Sequence, residues 1–251
     1  MKNNDLYQTI FKRKSIRKFK MDSLPEATLD SIKEYANQIK ELFPIKIELE
    51  YLNTKEVKSL LAIKAPHYLL LYSEKKDNYL LNAGFILEQL DLFLSASGIG
   101  ACWLGMAKPS EEIPNKKGME YVIMLAFGAP AEPLHRKDVS EFKRKAVPKI
   151  SNCMEGNDVI DPIRLAPSAS NGQPWYLQLN ESELVLSREK LNLLKVKLLG
   201  KMNQIDMGIA CAFADVVLKE QGKNPNFYVA LGQNKQIKDG YEYVITSKWD
   251  E

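Results

Sequence analysis

The sequence predicts an α+β chain built from two related halves, and three observations lead there. Alternating strand patterns and apolar helix patterns are interleaved along the whole chain. The helical stretch N-A-G-F-I-L-E-Q-L-D-L-F-L-S-A-S-G at 82–98 aligns without a gap to D-M-G-I-A-C-A-F-A-D-V-V-L-K-E-Q-G at 206–222. F-K-R-K-S-I-R-K-F at 11–19 matches F-K-R-K-A-V-P-K-I at 142–150, in the same order along the chain. Two copies are too few for a solenoid. They fit a dimer fused into one chain, with halves 1–140 and 141–251 and the repeated helices near a pseudo-two-fold axis.

Each element follows from its pattern. Ser23 caps a helix that begins at Leu24-Pro25-Glu26 and runs to about Leu42. Lys46 to Leu52 alternates as a strand, and Lys55 to Ile63 suits a short helix. Tyr68 to Tyr72 is a buried strand, and Leu80 to Ser97 a buried helix stopped by Gly98. Tyr121 to Phe127 is a strand closed by Gly128-Ala129-Pro130. In the second half, Asp158 to Leu165 ends a helix, and a hairpin joins Trp175 to Leu179 with Glu183 to Ser187. A helix from Ile205 to Gln221 then precedes strands at Phe227 to Leu231 and Tyr241 to Thr246.

Composition narrows the function. A net charge of +3 over 251 residues, with bases and acids interspersed, argues against nucleic acid as a partner. The longest apolar stretch, Leu80 to Ala107, carries Glu88, Gln89 and Asp91, so it reads as a core helix rather than a membrane span. A polar start at Met1 to Asp5 and three scattered cysteines fit a reducing, cytoplasmic setting. Two histidines, His67 and His135, leave little material for a metal centre or a Ser-His-Asp triad. Any reactivity is expected from a bound cofactor.

Two segments carry chemistry, and each half keeps what the other lacks. Arg13, Ser15 and Arg17 alternate along an extended segment, suited to paired hydrogen bonds with a phosphate. The aligned positions of the second half are Arg144, Ala146 and Pro148. A-P-S-A-S-N-G-Q-P-W at 166–175 offers hydroxyls, a carboxamide and turn-held backbone groups able to approach a flat heterocycle. Its rough counterpart at 36–45 keeps a proline but not the small polar residues. G-I-G-A-C-W-L-G at 98–105 starts like a dinucleotide fingerprint, but Trp103 occupies the third glycine position and a helix precedes it. It remains a candidate helix-ending loop with backbone N–H groups against a ligand.

Together R-K-S-I-R-K-F at 13–19, A-P-S-A-S-N-G-Q-P-W at 166–175, G-I-G-A-C-W-L-G at 98–105 and Y-V-I-M-L-A-F-G-A-P-A-E-P at 121–133 resemble the nitroreductase family of FMN-dependent oxidoreductases. The order departs from that family, in which the S-x-N-x-Q-P-W segment follows the first motif closely; here it lies in the second half. Family members are homodimers with each flavin bound between subunits. The resemblance therefore implies a nitroreductase-like fold of mainly antiparallel sheets flanked by helices, a single-chain pseudo-dimer, and one surviving flavin site.

Carried over by resemblance, Arg13 and Ser15 hold the FMN phosphate and ribityl end, and Arg17 lies by the pyrimidine edge. Pro167, Ser168, Ala169 and Asn171 come from the opposite half, with Gln173 supporting their loop. Trp103, Leu104 and Gly105 lie near flavin N5. Arg136 or Lys137 adds a phosphate contact, for which Arg144 and Lys145 compete. The implied activity passes hydride or electrons from NAD(P)H through FMN to a small nitroaromatic or quinone acceptor, with no catalytic side chain. A dehalogenase, an azoline dehydrogenase or a non-catalytic FMN carrier would share these motifs.

Overall fold

In the computed structural model, residues 1–58, 63–110, 116–230 and 237–250 are described. The first half contains helices α1 (Asn3–Ile10) and α2 (Glu26–Gln38), then strands β1 (Ile47–Asn53), β2 (Val57–Lys58) and β3 (His67–Ser73). Helix α3 (Tyr79–Ala96) follows, then β4 (Gly100–Leu104), β5 (Lys108–Pro109) and β6 (Glu120–Gly128). The second half has two short helices, α4 (Val147–Ile150) and α5 (Ile160–Arg164), and strands β7 (Trp175–Leu179) and β8 (Glu183–Glu189). It ends with the long helix α6 (Leu193–Glu220), β9 (Asn226–Tyr228) and β10 (Tyr241–Lys248).

Two four-stranded antiparallel sheets have one topology. Their orders are β1-β3-β6-β4 and β7-β8-β10-β9, so in each the first two strands pair, a helix follows, the third strand takes the edge and the fourth inserts between the second and third. Helices α3 and α6 are apolar around most of their circumference, and both are buried along the shared stretch. They cross where Gly84 meets Gly208. A Cβ on Gly84 would collide with the Ile205 carbonyl, and one on Gly208 with the Leu81 carbonyl. These contacts are reciprocal under the offset of 124 residues that aligns the two helices. Each helix also ends on a left-handed glycine, Gly98 at φ 82° and Gly222 at φ 74°, the conformation an L side chain resists.

The first sheet separates two cores. Leu69, Leu71, Ile123, Leu125 and Ala101 face the main core around α3 and α6. Tyr68, Leu70, Met124, Ala126, Cys102 and Leu104 face a smaller core closed by Ile16 and Phe19. This explains the main departures from the sequence reading. The glycine-rich 98–105 stretch is not a loop: its alternating side chains make it strand β4, with Ala101 and Cys102 on opposite cores. Helix α1, absent from the sequence reading, is held because Leu6 and Ile10 are buried in the main core. Helix α6 starts twelve residues early, where the Asn192 side chain accepts the Lys195 N–H at 2.9 Å. The short helix expected at 55–63 lies partly outside the described residues; within them are a 3-10 turn at Thr54–Glu56 and β2.

The matched segments at 11–19 and 142–150 are not structurally equivalent. Arg13 to Phe19 is extended, with bridges from Arg13 to His135 and from Phe19 to Pro130. The second segment turns into α4 after Ala146, with Pro148 in its first turn.

Candidate functional site

Arg13, Ser15 and Arg17 share one cavity of about 620 Å³ with Pro167, Ser168 and Asn171. That volume is within the range of small-molecule sites. The fold brings these distant segments together because 13–19 lies against β4, with Ile16 N–H on the Ala101 carbonyl at 2.9 Å. The 166–173 loop, for its part, is anchored to α6: the buried Asp206 Oδ1 accepts the Ala169 N–H at 3.0 Å.

The loop is strained. Ser170, Asn171 and Gln173 have φ of 50°, 56° and 48°, a region that serine and glutamine seldom occupy, at about 1–2 kcal/mol each. Buried Gln173 holds the turn from below: its Oε1 accepts the Lys145 N–H at 2.7 Å and its Nε2 donates to the Asn171 carbonyl at 3.0 Å. Ser168 Oγ accepts the Gln173 N–H at 2.9 Å. The Asn171 carboxamide is held on both sides. Its Oδ1 accepts from Arg144 Nη1 at 2.7 Å and its Nδ2 donates to the Lys143 carbonyl at 2.8 Å. What this loop offers the cavity is its hydroxyls, its backbone and the second N–H and lone pair of that carboxamide.

Arg13 also departs from the expected role. Its guanidinium is turned inward, with Nε and Nη2 donating to Asp91 Oδ2 at 2.9 and 2.6 Å. Burial opposes its charge, but Asp91 and Glu88 more than offset that, and its pKa is raised. The same Asp91 oxygen accepts the Trp103 indole N–H at 3.0 Å. Glu88, fully buried and 3.8 Å from Arg13 Nε, has its pKa pushed well up by burial and by Asp91. Burial of this kind favours the neutral form of a carboxyl, and the Arg13 guanidinium opposes it.

The cavity wall is strongly cationic. Besides Arg13 it presents Lys14, Arg17, Arg136, Lys143 and Arg144, against Glu132 and Glu141. Both acids are engaged with backbone. Glu132 accepts the Arg17 and Lys18 N–H groups at 2.7 and 3.2 Å, and Glu141 accepts the Lys137 N–H at 3.1 Å. Arg136 donates to the Arg13 carbonyl and lies 3.9 Å over the Phe142 ring. Burial, then Arg13, lowers its pKa.

Several expected residues lie off this cavity wall. Lys137 is exposed and does not line it. Trp103, Leu104 and Gly105 belong to β4 and its end; Leu104 is buried in the smaller core, and Trp103 contributes through Asp91. Ala169 and Gln173 act beneath the loop. Sequence reading missed Asp91, Asp206 and Glu132 as supports, and named Arg144, which lines the wall, only as a competitor of Arg136 and Lys137 for a phosphate contact.

A second, smaller cavity of about 240 Å³ lies beside Leu42, Phe85, Gln89, Asp215, Lys219 and Phe227. It occupies the place that the helix repeat assigns to a counterpart. Asn82, aligned with Asp206, accepts the Leu42 and Phe43 N–H groups at 2.8 and 3.1 Å. Asp215, aligned with Asp91, holds Lys219 at 2.6 Å instead of an arginine.

The sequence profile of the family described as "Putative TM nitroreductase" matches residues 5–216. The chain belongs to this family. Among solved structures, the "putative nitroreductase" of Thermotoga maritima aligns at TM-score 0.65 and 22% identity, over 97% of this chain and 92% of its own. It shares the fold. A nitroreductase family protein of Clostridium difficile aligns at 0.49 and 14% identity, over 61% of this chain and 98% of its own. A nitroreductase of Desulfitobacterium hafniense, solved with bound FMN, aligns at 0.44 and 14% identity, over 58% of this chain and 100% of its own. No curated protein matches the chain. Among the described residues no helix is long and apolar enough to cross a membrane.

Proposed function

We propose that this nitroreductase family member is an FMN-dependent oxidoreductase that takes reducing equivalents from NAD(P)H and delivers them to a small oxidised acceptor of nitroaromatic or quinone type. The observation that carries this reading is the meeting of the 13–17 segment with the 167–171 loop at one cationic cavity. The residues present fit the group. Five cations besides Arg13 line a cavity whose two acids are occupied with backbone N–H groups, and Arg144 Nε is buried without a partner among the described residues. Such a wall calls for an anion, and the strained loop brings hydroxyls and backbone within reach of a flat ring.

When bound, FMN supplies the two-electron chemistry. The chain's own residues bind and orient: Ser15 and Arg17 from one half, Pro167, Ser168 and the 169–171 backbone from the other. Asp91, Asp206 and Gln173 hold those segments in register. The smaller cavity is below the usual volume of a cofactor site and offers an Asp215–Lys219 pair where a phosphate would need cations, so we propose a single flavin per chain and a pseudo-dimer in one polypeptide.

The test is direct. Purified protein is expected to be yellow or to take up FMN in equimolar amount, to bleach anaerobically with NADH or NADPH, and to recover colour with a quinone or nitroaromatic. Protein that cannot take up FMN sinks the proposal; yellow protein that no nicotinamide bleaches is a carrier instead.

A further inference from the structure

Helix α6 changes environment part-way along its length. From Asn203 it enters the core beside α3, whereas every residue from Asn192 to Leu199 is exposed. The exposed turns are not polar. Leu193 is 90% exposed, Leu194 and Leu198 are 78% exposed, and Val196 and Leu199 are exposed with them. Elsewhere among the described residues, large exposed apolar side chains stand singly along the chain, as Met21 and Met154 do. Single ones are ordinary on a protein surface, while a contiguous group marks a contact.

The shape and charge of this stretch say what it meets. At about 3.6 residues per turn, its five apolar side chains point to all sides of the helix rather than to one. A protein groove covers one face of a helix; a fluid apolar medium covers every face. Lys190, Lys195 and Lys197 are exposed in the same stretch, Lys201 stands at its base, and no Asp or Glu occurs between Glu189 and the buried Asp206. The positive end of the helix dipole adds to that charge. A second copy of this chain laid against the stretch would set lysine against lysine. Anionic lipid headgroups would instead pair with the ammonium groups while the lysine stems lie along the acyl chains.

We propose that the first two turns of α6, Leu193 to Leu199, insert into the headgroup region of an anionic lipid bilayer and hold the protein at its surface. The helix rises about 9 Å over those residues, which matches the depth of about 5–10 Å that interfacial helices reach. This is contact with one leaflet, not a span, and among the described residues no helix is long and apolar enough for a span. Asp206, which anchors the loop of the larger cavity, lies two turns further along the same helix, about 10 Å from Leu199. The inserted turns thus set that loop close to the bilayer. The inference stands apart from the flavin reading, since none of its residues lines the larger cavity.

The experiment is co-sedimentation of the full-length protein with vesicles of phosphatidylcholine alone or of phosphatidylcholine and phosphatidylserine in equal parts. Wild type is compared with K195Q/K197Q and L193S/L194S, whose replaced side chains are exposed. Circular dichroism checks that each variant is folded, and sedimentation velocity without lipid follows the oligomeric state. Wild type is expected to sediment with the mixed vesicles and not with the neutral ones. Its binding should weaken near 1 M salt, where the screening length falls to about 3 Å. K195Q/K197Q is expected to weaken binding about twenty- to thirtyfold, roughly fivefold for each lysine at a charged surface. L193S/L194S is expected to weaken it about a hundredfold, each buried leucine being worth roughly tenfold or more. The proposal is overturned if wild type stays in solution with the mixed vesicles, binds the neutral ones equally well, or keeps its binding in L193S/L194S. A wild-type dimer that ignores vesicles and becomes monomeric in L193S/L194S would overturn it in favour of a second copy.

Discussion

The two cavities flanking the α3–α6 crossing have similar backbone anchors and differ in what their acids hold. In the larger one, Asp91 ties Arg13 and Trp103 together, and Asp206 anchors a strained polar loop. In the smaller one, the aligned Asp215 holds Lys219 and the aligned Asn82 anchors an apolar loop at Leu42 and Phe43. The backbone anchors are alike, while the charges around them are not. Two sheets of one topology and a reciprocal helix crossing can therefore share an architecture and differ in the charges beside them, because sheets and helix crossings are set by packing and the charges by a few side chains.

The comparison is most severely broken at what the two cavities share. Gly84→Ala or Gly208→Ala forces a methyl against the opposite helix backbone. Each is expected to cost about 4 kcal/mol or more, measured by urea unfolding. Similar losses for both would fit a reciprocal crossing; tolerance of one would contradict it. Next, Asp91→Asn strands Arg13 beside Glu88 alone. Removing one partner of a buried pair costs about 3–5 kcal/mol, at the lower end here because Glu88 can ionise in its place. FMN retention should fall with it.

A pH-dependent effect separates the two loop anchors. Burial raises the Asp206 pKa from 3.8 to about 7, and its Oδ2 has no hydrogen-bond partner among the described residues. The folded protein then keeps a proton that the unfolded chain releases, so stability falls as pH rises from about 4 to about 7. Asp206→Asn, which copies the Asn82 anchor, should remove this part of the slope. It should gain roughly 4 kcal/mol over wild type at pH 8, relative to pH 4, in paired urea titrations. Unchanged slopes would show that Asp206 is ionised in the fold. The smallest effect is expected at the minor cavity. Asp215→Asn breaks a pair whose lysine is half exposed, so stability should change by about 1 kcal/mol or less and FMN retention not at all.

Much of the fold was legible because apolar periodicity reports packing. The buried stretch at 80–97, the strand at 175–179 and the gapless helix repeat all stand out from residue patterns alone. Strand β4 did not, since its glycines and Trp103 resemble a loop until the two cores that claim its alternate residues are known. The first twelve residues of α6 were hidden because Leu193, Leu194 and Leu198 are exposed and mark no single face. At the site, the motifs named the segments but not the partners of their side chains. Arg13 and Asn171 were read as ligand groups and do line the cavity; that Asp91 and Arg144 hold them was not legible.

The sequence by itself determined the two-part organisation, the alternation of strands and helices, and the pair of segments that meet at one cavity. These depend on periodicity and local turn chemistry, which are written residue by residue. Only the tertiary structure decided which arginine is neutralised and which is left without a counter-charge. Phe-Lys-Arg-Lys reads the same at both places; whether its arginine meets a buried carboxylate depends on the helix packed against it, and no neighbouring residue in the sequence carries that information.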